Sequence, residues 1–120
     1  MPTLRDLIAA ESEITLTVEP EDTPIKGNAM ASGDDAADKR AEDSIREQLA
    51  DGNEWAWCAV IVRGTWRGLS ASDSLGCCSY LSEADFRQPN GGYYDDMVSG
   101  VIDELTAKAE SILECASSVA

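Results

Sequence analysis

Hydrophobic residues fill every position from 55 to 62, the longest such run in the chain. Successive side chains of a strand point to opposite faces, so this run is apolar on both faces, as is typical of a central strand. After Arg63 the pattern opens to one face, and Gly64 is a candidate bulge. Residues 68–74 are rich in Gly, Ser and Asp and are predicted to turn the chain back. Residues 75–81 are then the returning, antiparallel strand.

A shorter alternating pattern lies near the start of the chain. Residues 13–19 place Ile14, Leu16 and Val18 on one side and polar residues on the other. This alternation predicts a strand with one face buried and the other in water. Residues 21–33 follow it as a predicted loop.

Three segments have the periodicity of amphipathic helices, namely residues 3–11, 34–51 and 94–116. Thr3 and Asp6 have the spacing of a capping box at the start of the first. The second has a narrow apolar stripe and is otherwise charged, which predicts a surface helix. The third keeps its apolar positions on one face for about six turns and is predicted to cover the sheet.

These elements together predict an α+β fold. It consists of a three-stranded antiparallel sheet, a long C-terminal helix packed on one face, and an acidic surface helix. A chain of 120 residues fits one domain, so we expect residues 1–120 to form a single acidic domain. The apolar fraction of 43% is ordinary for a globular protein and argues against wholesale disorder.

Charge is the unusual feature of the composition. The chain has 23 acidic and 9 basic residues, for a formal net charge of −14. A magnitude of about 2 to 8 suffices to keep a small domain soluble. Any excess destabilises the compact state through self-repulsion, which suggests a functional reason for it. Halophilic adaptation or a need for solubility would leave the same mark.

The four cysteines raise the question of a disulfide framework. Residues 1–11 hold a single Arg and no long apolar run, which does not fit a signal peptide. Cys77 and Cys78 are adjacent, a spacing that does not suit a disulfide between them. We therefore expect reduced, mostly buried thiols in a cytosolic protein. No stretch approaches the roughly 20 apolar residues of a membrane span.

Few kinds of catalytic chemistry fit the sequence. Histidine is absent, which excludes Ser-His-Asp and Cys-His catalysis within one chain. Adjacent cysteines do not suit a zinc site, and residues 90–92, which resemble a cation site, lack the spacing of a calcium loop. We expect no catalytic residue, no metal and no cofactor. An enzyme remains an open alternative, and it would use carboxylates or thiols from Asp85, Asp95, Asp96, Cys77 and Cys78.

The negative charge is concentrated on two predicted helices. Residues 34–51 carry seven acidic and three basic residues, or one net charge per about 7 Å of helix axis. The C-terminal helix has a similar density, whereas one DNA strand has one charge per about 3.4 Å. Imitation of a nucleic-acid strand therefore requires the two helices to be neighbours. A solvated face is the other explanation, because several pairs have the favourable i,i+4 order: Asp35–Lys39, Glu42–Arg46 and Glu104–Lys108.

Several short strings of residues carry a resemblance to other proteins. They are Trp55-Ala56-Trp57-Cys58, Trp66-x-Gly68, Leu75-Gly76-Cys77-Cys78-Ser79-Tyr80, Ser82-Glu83-Ala84-Asp85-Phe86 and Tyr94-Asp95-Asp96-Met97. Over residues 14–105 the chain resembles a group of small, uncharacterised acidic proteins of phages and mobile elements. Such proteins are similar in kind to anti-CRISPR and anti-restriction inhibitors. The resemblance implies no assigned activity, and by analogy with those inhibitors we expect the cytoplasm of a host cell and a host defence complex as partner.

We therefore expect a non-enzymatic acidic inhibitor that binds a basic, nucleic-acid-binding surface of such a complex. Direct binding of nucleic acid is not expected, because phosphates repel a protein of this charge. The expected partner-binding residues are acidic side chains of the two helices: Asp34, Asp35, Asp38, Glu42, Asp43, Glu47, Asp103 and Glu104. The alternative is a homodimeric assembly protein whose charge only maintains solubility. Its two copies would pair through Tyr93, Tyr94 and a face shared by Trp55 and Trp57.

Overall fold

The computed structural model describes residues 2–30, 32–88 and 92–119. Within these ranges the chain forms four α-helices, three strands and one 3-10 helix. Their order is α1 (Leu4–Glu11), β1 (Glu13–Pro20), α2 (Asp35–Ala50), the 3-10 helix (Glu54–Ala56), β2 (Cys58–Trp66), β3 (Leu69–Cys78), α3 (Glu83–Phe86) and α4 (Tyr94–Val119). The predicted capping box begins α1. The Thr3 hydroxyl accepts from the N–H of Asp6, and the Asp6 carboxylate accepts from the N–H of Thr3.

The three strands form one antiparallel sheet in the order β1-β2-β3, which confirms the predicted α+β fold. β2 is the central strand, and its Val62 lies opposite Leu16 of β1. The register between β2 and β3 shifts between Cys58 and Val60. No shift occurs at Gly64, so the predicted bulge at that position is wrong.

The long helix α4 packs on one face of the sheet, as predicted, and α1 packs against α4. Val60 and Val62 of β2 are buried in one cluster with Val101 and Leu105 of α4. Gly64 permits this close approach, because a Cβ atom there would lie 2.6 Å from Cγ1 of Val101. The glycine therefore serves helix–sheet packing.

The hairpin between β2 and β3 turns earlier than predicted. Arg67 and Gly68 have φ angles of 47° and 84°, as a tight hairpin turn requires. β3 therefore begins at Leu69, and it includes six residues of the predicted turn (68–74) and four of the seven residues of the predicted strand (75–81). The predicted turn was wrong because the polar residues at 69–74 belong to β3, an edge strand of the sheet, whose side chains are largely in contact with water.

Two tryptophans at the start of the apolar run lie outside the strands. Trp55 belongs to the 3-10 helix, and its N–H donates to the side-chain oxygen of Asn53, which begins that helix. The ring of Trp55 packs on Phe86 with centroids 5.6 Å apart, whereas Trp57 is buried with Ile45 of α2. The predicted common face of Trp55 and Trp57 is thus wrong, since the 3-10 turn intervenes.

α2 and α4 lie on opposite sides of the start of β2. Trp57 has an extended backbone and packs into a small second cluster, while the next residue, Cys58, belongs to the core beneath α4. Successive residues of an extended chain point to opposite sides. The second cluster consists of Ile45, Ala56 and Trp57, with Ile25 and Ala29 packed against it. The two acidic helices are therefore not neighbours. A continuous phosphate-like surface would require them to be.

The cysteines are less buried than expected. Cys58 and Cys78 are buried free thiols, whereas Cys77 and Cys115 are exposed. Burial raises the pKa of Cys58 to about 11 and also raises the pKa of Cys78. Both buried thiols are thus protonated at neutral pH, which makes them poor nucleophiles.

Candidate partner-binding site

Two of the expected acidic residues hold the start of α2 in place. The carboxylate of Asp34 caps the helix by accepting from the N–H groups of Ala36 and Ala37, at 3.1 and 3.3 Å. The Asp38 carboxylate accepts from the N–H and the hydroxyl of Ser32, at 3.2 and 2.7 Å. These two side chains therefore have local structural roles.

Asp43 pairs with two of the three basic side chains of α2, Lys39 and Arg46. Lys39 Nζ lies 2.6 Å from its carboxylate, and Arg46 Nη1 lies 3.3 Å away. The hydrogen bond from Lys39 is the main reason that the pKa of Asp43 is lowered. The sequence predicted different pairs, Asp35–Lys39 and Glu42–Arg46. Because Asp43 occupies both cations, Asp35 and Glu42 have no ion pair among the described residues.

Glu42 is the unusual residue of α2. It is only 8% exposed. Among the residues that the structure describes, no other charged residue is buried. Its Oε2 atom is inaccessible to water and has no hydrogen-bond partner in the described part of the chain. Burying a charged group without a partner is costly, because the group gives up its hydration and gains nothing in return. Glu42 therefore has an unused capacity to accept a hydrogen bond.

A pocket of about 520 Å³ opens beside Glu42. Asp35, Asp38 and Glu42 lie at positions i, i+3 and i+7 of α2, so they share one face of the helix. The loop before α2 forms the other wall through Lys26 and Gly27. The α2 pocket, as we call it, is lined by Lys26, Gly27, Asp35, Asp38, Lys39, Glu42, Asp43 and Arg46.

The remaining expected residues lie away from this pocket. Glu47 is exposed on α2 and does not line it. On α4, Asp103 forms an ion pair with Arg5 of α1, with 2.6 Å between Nε and Oδ1. Glu104 lines a separate pocket with Arg63 and Lys108. The structure thus brings together Asp35, Asp38, Glu42 and Asp43, and it places Asp103 and Glu104 elsewhere.

The face expected to join two copies is not formed. Trp55 and Trp57 are both buried, in two separate clusters, so they offer no shared face to a second molecule. Tyr94 is half-buried and stacks with Arg87, whose Cζ lies 4.7 Å from the ring centroid. Tyr93 is exposed. The expected shared face of Trp55 and Trp57 is wrong, because Trp55 packs in the main core and Trp57 packs in the second cluster.

Two of the residues weighed for catalysis, Cys77 and Asp85, have structural contacts. The Cys77 N–H donates to Oε1 of Glu21 at 2.8 Å, and this bond is the main reason that the pKa of Glu21 is lowered. Asp85 accepts from the N–H of Leu81 at 3.0 Å. No group of three or more His, Cys, Asp and Glu residues in the described ranges has the arrangement of a metal site. Of the loop at 90–92, residues 90 and 91 lie outside the described residues.

The sequence indicated the charge of Glu42 but not its burial. Glu42 lies one position from Ala41 and three from Ile45, at the border of the narrow apolar stripe. Lys26 and Gly27 of the loop before α2 line the pocket beside it, and Ile25 and Ala29 of that loop pack against the cluster that contains Ile45. That contact joins residues distant in sequence within a segment that has no periodic pattern, so no sequence signal revealed the pocket.

Comparison of the chain with protein-family models, with curated proteins and with solved structures finds no match. Among the described residues, no helix combines the length and the apolar character needed to cross a bilayer. The site must therefore be interpreted from its own geometry and charge.

Proposed function

We propose that the protein is a non-enzymatic binding protein whose α2 pocket receives a basic side chain from a nucleic-acid-binding surface of its partner. The observation that carries the proposal is the buried Oε2 atom of Glu42, which has no hydrogen-bond partner among the described residues. Because this atom is inaccessible in the free protein, the Glu42 carboxylate would turn it toward the α2 pocket to accept from a partner's donor. Binding would then recover the free energy that burial of this carboxylate costs the free protein.

An arginine side chain fits the chemistry of the pocket. Its guanidinium is planar, permanently charged and has five N–H donors, so it can bond to more than one carboxylate at once. Asp38 and Glu42 are four residues apart on α2, which places their Cβ atoms about 5–6 Å from each other. A guanidinium between them would donate to Glu42 and lie near the charge of Asp38.

The rest of the acidic surface supports the approach of a basic partner. The chain carries a net charge of −14, and charge of this sign steers a positively charged surface during encounter. We propose a surface that normally binds nucleic acid because such surfaces are rich in Lys and Arg. The sequence resemblance to acidic phage proteins supports a host defence complex as the partner, and an inhibitor of the anti-CRISPR or anti-restriction kind as the biological role.

The proposal relies on local recognition at α2. A continuous imitation of a nucleic-acid strand by α2 and α4 is not part of it, since the helices lie on opposite sides of the start of β2. Asp103 is also engaged by Arg5. Within this proposal the α4 residues contribute long-range attraction only, and the contacts are made by α2.

The test compares Glu42→Gln with Glu47→Gln. Each change removes one negative charge from the same helix, but only Glu42 is buried beside the pocket. The probe is an arginine-rich peptide, titrated calorimetrically at low salt, together with the matching lysine peptide. We expect Glu42→Gln to weaken binding of the arginine peptide about tenfold, because a hydrogen bond to a charged group contributes about 1.5–3 kcal/mol. Glu47→Gln should weaken it by less than about threefold, as is usual for an exposed charge.

The lysine peptide shows whether the geometry of the donor matters. We expect it to bind more weakly than the arginine peptide and to lose less affinity in Glu42→Gln, because an ammonium group lacks the planar fork of a guanidinium. Equal losses in the two variants with both peptides would mean that only total charge matters. That result would rule out the α2 pocket as a recognition site.

A further inference from the structure

The outer edge of β1 has no strand beside it. In the order β1-β2-β3, β1 lies at one end of the sheet and pairs with β2 alone. Every second residue of an edge strand directs its N–H and C=O groups away from the sheet. In the described ranges, β2 is the only element whose backbone forms hydrogen bonds with β1. Because β1 runs for eight residues, with a proline only at its last position, its outer edge offers a regular row of donors and acceptors.

The opposite edge of the sheet is partly closed. At β3, Lys108 Nζ donates to the carbonyl oxygen of Ser70 at 2.6 Å, and the N–H of Cys77 donates to Glu21 at 2.8 Å. The shift in register near the end of β3 also interrupts the strand. Contacts and irregularities of this kind hinder the pairing of a further strand at an edge. No described residue makes such a contact with the backbone of β1, so β1 is the edge open to a partner.

One face of β1 is apolar and incompletely buried. Ile14, Leu16 and Val18 pack against the core beneath α4 but stay half-buried, whereas Val60 and Val62 of the central strand are fully buried. This difference is expected of an edge strand, since its side chains have cross-strand neighbours on one side only. A strand added beside β1 would cover this half-buried row with apolar side chains at every second position.

The other face of β1 is acidic. Glu13 and Glu19 are the charged residues of this strand, both are exposed, and neither forms an ion pair with a described residue. Thr15 and Thr17 lie between them on the same face. Arg63 of β2 lies opposite Thr15, one strand further from the open edge. Opposite charges on neighbouring strands attract, so basic side chains of an added strand would be favoured next to Glu13 and Glu19.

A pocket at the end of β1 also favours a basic side chain. Its volume is about 250 Å³, below the roughly 300 Å³ at which pockets for small molecules begin, so it suits a single side chain. Its charged lining consists of Glu19 and Glu54 without a basic residue, whereas the lining of the α2 pocket includes three basic residues. Val18, Leu49 and Trp57 form apolar walls that would contact the aliphatic stem of a lysine or an arginine.

We infer that the outer edge of β1 binds an extended segment of a partner protein in which basic and apolar residues alternate. The backbone of this segment would continue the sheet, its apolar side chains would cover the half-buried row, and its basic side chains would lie beside the two glutamates. A second copy of β1 fits poorly, because antiparallel pairing over residues 13–19 would set Glu13 of one copy opposite Glu19 of the other. The inference rests on the strand and does not depend on the α2 pocket.

The test follows the amide hydrogens of β1 by hydrogen exchange and NMR. The probe is a short peptide that alternates lysine and valine, and the control peptide has the same composition with its lysines and valines grouped in two blocks. We expect the alternating peptide, at about ten times its dissociation constant, to slow exchange about tenfold at the β1 amides that face away from β2. Amides at the outer edge of β3 should keep their rates, because that edge is partly closed. The control peptide should leave both edges unchanged.

Two double variants show whether the glutamates of β1 determine the charge of the segment that binds. Glu13→Gln with Glu19→Gln changes the acidic face of β1, and Glu110→Gln with Glu114→Gln removes the same charge from exposed positions of α4. We expect the first pair to weaken binding of the alternating peptide about fivefold, since two cross-strand charge pairs are lost. The second pair should weaken it less than about twofold, because salt screens exposed charges at a distance.

Unchanged exchange at the outward-facing β1 amides, with the alternating peptide at up to about 1 mM, would overturn the inference. Equal protection by the grouped peptide, or equal losses in the two double variants, would do the same, because total charge would then explain binding. Protection of β1 that appears when the protein concentration alone is raised would assign the edge to a second copy, which also contradicts the inference.

Discussion

Glu42 lowers the free energy of unfolding of the free protein, because its buried Oε2 atom has no hydrogen-bond partner among the described residues. An unsatisfied buried polar atom costs about 1–3 kcal/mol. Replacement by glutamine keeps the shape of the side chain and leaves a buried, unpartnered amide, but it removes the charge, whose burial is the costlier part. We expect Glu42→Gln to raise the free energy of unfolding by about 1 kcal/mol and the melting temperature by about 4 °C. Thermal and urea denaturation of the free protein would measure both.

Glu47→Gln is the control for this prediction. It removes the same charge from an exposed position, so the change in the free energy of unfolding should stay within about 0.5 kcal/mol. A variant that binds less tightly yet is more stable indicates a group retained for function. If Glu42→Gln were less stable than the wild type, the carboxylate would have a structural partner, and its role as an acceptor for a partner's donor would be lost.

At the scale of residues, local chemistry was predictable and burial was not. Thr3 and Asp6 form the capping box that their spacing indicated, because both partners lie within one turn. The pairing of Asp43 with both Lys39 and Arg46 was missed, since each cation had more than one acidic neighbour within reach on the helix. The choice between them depends on side-chain positions that spacing does not determine.

The packing of α4 on the sheet depends on the absence of a side chain at Gly64. A Cβ atom there would lie 2.6 Å from Val101 and 3.0 Å from Ile14, closer than packed atoms approach. We expect Gly64→Ala to lower the free energy of unfolding by about 1–3 kcal/mol, the usual cost of overpacking a core. Urea denaturation monitored by tryptophan fluorescence would measure it.

Gly100→Ala provides a matched control within the same helix. No atom lies within 4 Å of a Cβ at this position, and the residue is helical. The substitution should therefore stabilise the protein by about 0.5–1 kcal/mol, because alanine favours helices over glycine. If Gly64→Ala were tolerated as well as Gly100→Ala, α4 would not approach β2 as closely as described.

At the scale of elements, strong periodicity located α4, α2 and β1 to within a few residues. The boundaries of β2 and β3 were less predictable. The apolar run that begins at Trp55 starts in a 3-10 helix, and Arg67-Gly68 forms the turn. A run of apolar residues indicates burial, but it does not distinguish a strand from a buried turn. An Arg in the left-handed conformation is also rare enough that composition did not indicate the turn.

At the scale of the whole molecule, the distribution of charge decides how the protein can act. α2 and α4 pack on separate clusters, so their carboxylates do not form one continuous surface. The sequence indicated both helices but not their arrangement, because α2 packs through contacts of Ile45 with Ala56 and Trp57, which no local pattern specifies. What remains is a pocket on α2 lined by four acidic and three basic residues, and at the far end of α4 an apolar groove.

The most direct test of the proposed function is competition with nucleic acid for the partner. Wild type, Glu42→Gln and Glu47→Gln would be immobilised and exposed to a bacterial lysate at low salt, with and without excess duplex DNA or RNA. Bound proteins would then be quantified by mass spectrometry. We expect a basic protein that the wild type and Glu47→Gln retain, that nucleic acid displaces, and that Glu42→Gln fails to hold. Capture that is equal on both variants, or unaffected by nucleic acid, would contradict binding of a nucleic-acid-binding surface through the α2 pocket.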